Sequence, residues 1–384
     1  MRHILLLGLS ALPLAAHADA TDLMAIVNPA LADSRPTFRI SASGFAADDF
    51  VPAHRIADPW RDAPDPRPGR NLAIGFGRLE ASQSWDAWTI GTYRRVDAIG
   101  EGNRDTVRVY YAFGQPDTLL GQAGNYRLDY RFKGYSADGV RLAWATTGAD
   151  ERLRFGAALN LLKAGTLRVE RVSGTAVSTN GVATVVGRRQ LLYTGLDYTS
   201  PGKADLNDFA PAARQSTDNG WGQALDLGMQ WLPRDDLRIN VAVNDLFGQL
   251  HWKNVPELTQ DFNSASWPLE FNSPTAQAKI TGTNRYRDYT QQLKLKAAAS
   301  IDWSGQGWGL GASIATTRGL ILAEANASFG NVESGILRLS YEPRFQSLGA
   351  NVGYGPFFAG LRTERGNLNE SRAIGTTAGL AIRF

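Results

Sequence analysis

The chain has 384 residues, no cysteine, Lys+Arg 40 against Asp+Glu 37, and 20% charged residues. The missing thiols exclude cysteine nucleophiles, disulfide scaffolds and cysteine-rich metal sites, and the near balance of charge gives no footing for a nucleic-acid partner. No apolar run after the amino terminus is long enough to cross a bilayer as a helix, but this test is blind to membrane barrels, whose strands need only about 9 to 11 residues.

The first element in chain order is a secretory signal. Arg2 precedes the apolar run Ile4–Leu9, and the small residues Ala15, Ala16, Ala18 and Ala20 follow, so cleavage is expected after Ala18 or Ala20. The organisation expected is therefore residues 1–18 as signal, 19–36 as a short periplasmic or lumenal segment, and 37–384 as the barrel. Val27-Asn28-Pro29-Ala30-Leu31 reads as a tight turn just before the first strand, because proline after asparagine favours turn initiation. If the segment folds into the lumen, Asn28, Pro29 and Ala30 form the turn of a short plug; otherwise it is a periplasmic lead-in.

Period-two alternation then dominates. In Tyr126–Lys133, Tyr126, Leu128, Tyr130 and Phe132 share one face while Arg127, Asp129, Arg131 and Lys133 share the other, a separation that only a strand achieves. The same pattern sets Val107, Val109 and Tyr111 against Arg108, Leu153 and Phe155 against Arg152 and Arg154, and Leu237, Ile239, Val241 and Val243 against Arg238 and Asn240. It recurs with Leu293 and Leu295 against Lys294 and Lys296, and with Leu337, Leu339 and Tyr341 against Arg338.

The last element, Gly375–Phe384, puts Leu380, Ile382 and Phe384 on one face and ends on phenylalanine. It resembles the terminal strand by which outer-membrane barrels are recognised, which implies the barrel-assembly machinery as a partner and Phe384 as the assembly signal. The fold class expected is thus all-β, a transmembrane antiparallel up-and-down β-barrel of about 18 strands, or 14 or 16 if segments merge, in contact with outer-membrane lipid. Counting turns back from Phe384 puts 355–357, 330–331, 304–306 and 233–236 on the periplasmic side. The same count puts 366–374, 343–346, 253–290, 200–220 and the proline-rich stretch 46–70 outside.

Two motifs carry a further resemblance. The early Asn28-Pro29-Ala30, together with Trp221-Gly222…Asp226-Leu227-Gly228 and Asp245-Leu246-Phe247-Gly248…Trp252-Lys253-Asn254, is similar to the fatty-acid-transporter-like outer-membrane barrels. That superfamily also includes barrels of secretion and conjugation systems. The resemblance implies a plugged barrel, and the short amino-terminal segment departs from the longer plug of the transporters themselves.

After cleavage only His54 and His251 remain, so a histidine-rich metal site is excluded and a serine hydrolase would depend on one of these two. Neither stands in a recognisable family spacing, no cofactor motif is present, and an outer-membrane hydrolase is the weakest of the readings. Charge says more. The polar faces of the strands are weighted to arginine, with Arg108, Arg127, Arg131, Arg152, Arg154, Arg238 and Arg338 as candidate lumen-lining residues beside Asp129. An arginine-lined lumen would favour anions; a filled one would pair its charges internally. The expected function is a channel or transporter-like barrel for a small or amphipathic solute, leaning to anions. The alternative is a structural barrel of a secretion or conjugation apparatus.

Overall fold

The computed structural model describes residues 20–31, 35–53, 66–114, 123–148, 151–179, 182–194, 220–263, 269–270, 279–331 and 335–384; residues 1–18 and His54 lie outside them. In chain order the strands are β1 (Thr37–Asp48), β2 (Arg70–Trp85), β3 (Trp88–Asn103), β4 (Gly124–Thr147), β5 (Leu153–Thr179), β6 (Val182–Thr194), β7 (Gly220–Arg234) and β8 (Leu237–Asn263). They continue as β9 (Leu269–Glu270), β10 (Lys279–Gln292), β11 (Lys296–Ser304), β12 (Trp308–Thr317), β13 (Leu320–Asn331), β14 (Gly335–Glu342), β15 (Ser347–Tyr354), β16 (Phe357–Thr363) and β17 (Ala373–Arg383). All pairings are antiparallel, and β1 joins both β2 and β17, which closes the ring.

Fourteen strands make that ring, the count expected where segments merge rather than the 18 read one by one. Two composite strands explain part of the difference. β6 pairs with Leu167–Thr179 of β5 while β7 pairs with Leu153–Ala164 of the same strand, so β6 and β7 descend along one line interrupted by residues 195–219. β10 and β11 likewise share β8, with Leu293–Leu295 as the break between them. A sequence reading takes each interruption for a reversal of direction. The break also undoes the expected grouping of two lysines: Lys294 is exposed, whereas Lys296 is buried inside the barrel.

A second correction concerns Arg108. Residues Arg104–Gly114 form helix α2, not a strand. Asn103 caps it by accepting the Thr106 amide at 2.8 Å, and Val107 and Tyr111 are buried one turn apart, a spacing that alternation mimics. The helix also closes off the β4 edge, since the amides of Arg127 and Asp129 donate to Asp105 and Thr106 side chains. Otherwise those amides would be free to template another strand.

The outer wall follows from the alternation. Near the end where the chain turns tightly at 86–87, 235–236, 305–307 and 355–356, Trp85, Trp88, Trp144, Trp231 and Trp308 are exposed as a girdle, with Ile90, Leu142, Leu159 and Leu310 above them. Aromatic rings at the edge of an exposed aliphatic belt match a bilayer's interface and hydrocarbon. Apart from residues 195–219, which interrupt a composite strand, the longest connections, at 49–69, 104–123, 264–278 and 364–372, all leave from the opposite end, which the short-turn rule makes external. β4, β5, β6, β8 and β10 run well past the belt on that side.

Candidate functional site

The lumen is occupied by the chain's own amino-terminal segment. Helix α1 (Ala20–Leu23) lies against β12, β13 and β1, and the segment then runs toward the periplasmic end to a 3-10 turn at Pro29–Leu31. Leu23, Met24 and Ile26 pack with Phe45, Phe76, Leu320, Leu322 and Phe345, which seals the external half with apolar side chains. Burying each of these three plug residues contributes roughly 1.5 to 3 kcal/mol.

Polar contacts fix the register of the segment. Asn244 pairs with Val27 as a strand would, its amide donating to the carbonyl at 2.8 Å and its oxygen accepting from the N–H at 2.7 Å. Lys296 donates to the Met24 carbonyl at 2.9 Å, and Ser313 accepts from the Ala20 amide at 2.8 Å. Asn28, Pro29 and Ala30 sit at the turn against Gly156 and Gly228, where an added Cβ would overlap Ala30 N and Asn28 Oδ1. Asn28 donates to the Met229 carbonyl at 3.1 Å and accepts from the Ala30 amide at 2.9 Å, closing the turn. Only glycine at both wall positions admits this turn.

Beside the plug lies a buried charge network. Arg95 donates to both oxygens of Asp245 at 2.6 and 2.7 Å and also to Asp97, which further accepts from Tyr135 and, at 2.5 Å, from Lys296. Two bases meet two acids. Asp245 reaches inward because β8 bulges there, with positive φ at Asp245 (64°) and Phe247 (54°) and register shifts against β7. Its amide donates to Asp226, which Asn160 also engages at 2.8 Å. The two Asp-Leu motifs of the sequence are thus the two sides of one bulge, and Trp252 of the second donates to the Gly165 carbonyl at 3.1 Å.

Toward the periplasmic end the lumen opens into a cavity of about 380 Å³ between the plug turn and the wall. Arg39, Arg78, Arg141, Arg154, Arg238 and Arg383 line it, against Asp22 and Glu80. Arg78 donates to Glu80 at 2.7 Å and Arg141 at 3.5 Å, so one carboxylate serves two guanidinium groups. Arg78 Nη2, Arg141 Nε and Nη2, and Arg238 Nε are buried without a hydrogen-bond partner among the described residues. Buried donors of that kind favour an acceptor that carries charge.

Of the candidate lumen residues read from sequence, Arg154 and Arg238 line this cavity and Arg338 is buried near it, 3.4 Å from Asp302. Arg152 sits at the periplasmic rim, donating to the Pro233 carbonyl at 2.9 Å. Arg127, Asp129 and Arg131 lie on the external extension of β4, where Arg127 and Arg131 are exposed and Arg131 approaches Asp129 at 3.5 Å. Arg108 is on α2. Phe384, 75% exposed, follows β17 at the barrel seam, its amide donating to the Pro36 carbonyl. Arg39, Arg78 and Arg95 were absent from the arginines read from sequence, as was Glu80, which Arg78 meets. His251, half-buried, contacts Thr290 through Nδ1 at 2.8 Å, and its ring lies 5.0 Å from that of Trp221 at a 35° tilt. Among the described residues no cluster of His, Asp or Glu could hold a metal ion.

The external rim above the belt has its own buried acids. Asp48 accepts the amides of Phe50 and Val51 through Oδ1, while its Oδ2 has no hydrogen-bond partner among the described residues. Burial pushes its carboxyl up to about 7, against the lowering effect of the two amides and with neighbouring Asp49 adding to the rise. The folded state therefore binds this proton more tightly than the unfolded one, so stability falls as pH rises from about 4 to about 7. Asp48→Asn is expected to flatten that part of the pH profile in urea unfolding, by on the order of 2 to 4 kcal/mol at pH 8 relative to pH 4. An unchanged slope would place the proton elsewhere.

Comparison with known proteins bears on most of the wall. The family of unknown function DUF5723 matches residues 70–359. The chain belongs to this family. The matched span runs from β2 into β16 and holds Arg95, Asp245 and Lys296, but not the plug segment. No curated protein matches in sequence. Among solved structures, the P. putida toluene transporter TodX is similar at 11% identity with a TM-score of 0.48, over 95% of this chain and 94% of that one. The Ralstonia pickettii toluene transporter TbuX is similar at 11% identity and a TM-score of 0.46, over 93% and 92%.

Proposed function

We propose that this family member is an outer-membrane channel or transporter-like barrel of a Gram-negative cell that passes a small anionic solute, with residues 20–31 as its plug. The reading rests on one observation, the arginine-lined cavity beneath the plug turn, whose basic groups outnumber its acids. Its size falls within the roughly 300 to 1,000 Å³ of small-molecule sites. Low-dielectric walls focus the field of Arg78, Arg141, Arg154 and Arg238, so an anion entering from the periplasmic side gains most where the donors are unsatisfied. The motif resemblance to fatty-acid-transporter-like barrels supports a plugged architecture.

The test is single-channel recording in a planar bilayer. With the plug displaced, the parent barrel should give a reversal potential on the anion side, and the Arg154→Glu, Arg238→Glu double variant should move it toward cations while keeping the heat-modifiable folded form. Cation preference in the parent would overturn the anion assignment.

A second reading, a structural barrel in a secretion or conjugation apparatus, is favoured by the apolar seal of the external half. Absence of conductance with the plug both present and removed, in a barrel shown to be folded, would promote it.

A further inference from the structure

The outer wall carries a groove that the lumen does not explain. It measures about 830 Å³ and lies on the membrane-facing side of β1, β2, β3, β4, β5 and β7. Register gives its construction as two cross-strand rows. The lower row runs Ile40, Ala81, Thr92, Val140, Leu161, and the upper row runs Leu79, Arg94, Asp138, Lys163, Trp221. Small side chains at Ala81 and Thr92 leave the trough, and Ile40, Leu79, Val140 and Leu161 form its flanks, each exposed.

Its upper edge changes chemistry. Arg94 and Asp138 approach at 3.8 Å and are 65% and 60% exposed on this wall. Lys163 has no hydrogen bond or ion pair among the described residues, and Trp221, 56% exposed, stands next to it. The edge therefore carries a net positive charge and an exposed indole. Lys163 and Trp221 stand ten positions along β5 and β7 from the Leu153–Trp231 pair at the periplasmic girdle, the length of a membrane-crossing strand, so this end of the edge reaches the top of the belt, the level of headgroups in the external leaflet.

An apolar trough two rows wide, closed above by a free lysine and an interfacial tryptophan, matches an acyl chain whose headgroup bears phosphate. A soluble anion would leave the trough empty. A neutral lipid would leave Lys163 unpaired.

We propose that this groove is a binding site for a phosphorylated lipid of the external leaflet, with one acyl chain along Ala81 and Thr92 and the phosphate at Lys163 and Arg94. Occupancy would fill a concavity that bulk acyl chains pack poorly and would give Lys163 a partner in a region of reduced dielectric. The site is separate from the proposed lumen pathway and stands whether or not that pathway conducts.

The experiment is native mass spectrometry of the full-length mature barrel in detergent, incubated with a diphosphorylated, multiply acylated glucosamine disaccharide or with the same lipid after removal of its phosphates. The parent is expected to retain one phosphorylated lipid and to lose the dephosphorylated one. Lys163→Glu should lower retention about tenfold, since each basic group near an anionic headgroup is worth about that order when its sign is reversed. Ala81→Trp, which fills the trough and leaves the charges alone, should lower it as well. Leu339→Trp, on the opposite wall, should change nothing, and heat-modifiability checks that each variant is folded. Equal retention of both lipids, or equal retention by the parent and Lys163→Glu, overturns the proposal. So does a shift from dimer to monomer on Ala81→Trp with lipid retention unchanged, which would make the groove a contact between copies.

Discussion

Replacing Asp245 with alanine is expected to destabilise the folded barrel by about 3 to 5 kcal/mol, the usual consequence of stranding one member of a buried ion pair. Arg95 would keep Asp97 but lose a two-pronged partner, and with Lys296 it would leave two cations facing one carboxylate. Water cannot repair this cheaply, because both bases are almost fully enclosed by wall and plug. The double variant Arg95→Met, Asp245→Leu removes one charge of each sign and leaves Lys296 with Asp97, so it should recover most of the loss. Urea unfolding in micelles, followed by heat-modifiability, distinguishes the outcomes. A single variant as stable as the parent would mean that the network carries no net stabilisation.

Gly228→Val is expected to expel the amino-terminal segment from the lumen while leaving the wall closed. Any Cβ at this position overlaps the Asn28 side chain and crowds Pro29, and Gly156 on the neighbouring strand is as tightly approached by Pro29 and Ala30. The turn has no room to shift, since Asn28 is tied to Met229 and Val27 to Asn244. Strand pairing around Gly228 does not depend on the plug, because β7 bonds to β5 and β8 throughout. Expulsion should make residues 20–31 cleavable by added protease and open the lumen to ions, where the parent conducts little. An uncleaved segment in a folded Gly228→Val barrel would show that the turn is not clamped as described.

How much of this was legible in the sequence depended on distance along the chain. Alternation in Leu337–Tyr341 and Leu237–Val243 assigned faces correctly because each residue's side is set by its neighbours two positions away. The same rule failed at residues 107–111, where helix and strand spacings coincide. It also failed where strands were interrupted without reversing, at residues 195–219 and at Leu293–Leu295. The charge network lay beyond reach. Arg95 and Asp245 are 150 positions apart and meet across the curvature of the ring, which no local pattern encodes. One trace of it was present, the paired Asp-Leu motifs at 226 and 245, which the structure resolves into the ledge and the bulge that aim a carboxylate inward.

The composite strand offers a practical handle. The chain leaves the flank of β5 opposite Leu167 and rejoins it opposite Ala164, so Thr194 and Gly220 pair with positions only three residues apart on that strand. Closing a span between such near points adds little entropy cost as the span lengthens, about 0.6 kcal/mol per doubling. A foreign peptide grafted between Thr194 and Gly220 would therefore be carried by a wall whose pairing is already complete on both sides. The barrel supplies a display scaffold in which the cargo replaces an insertion and leaves the hairpin turns intact.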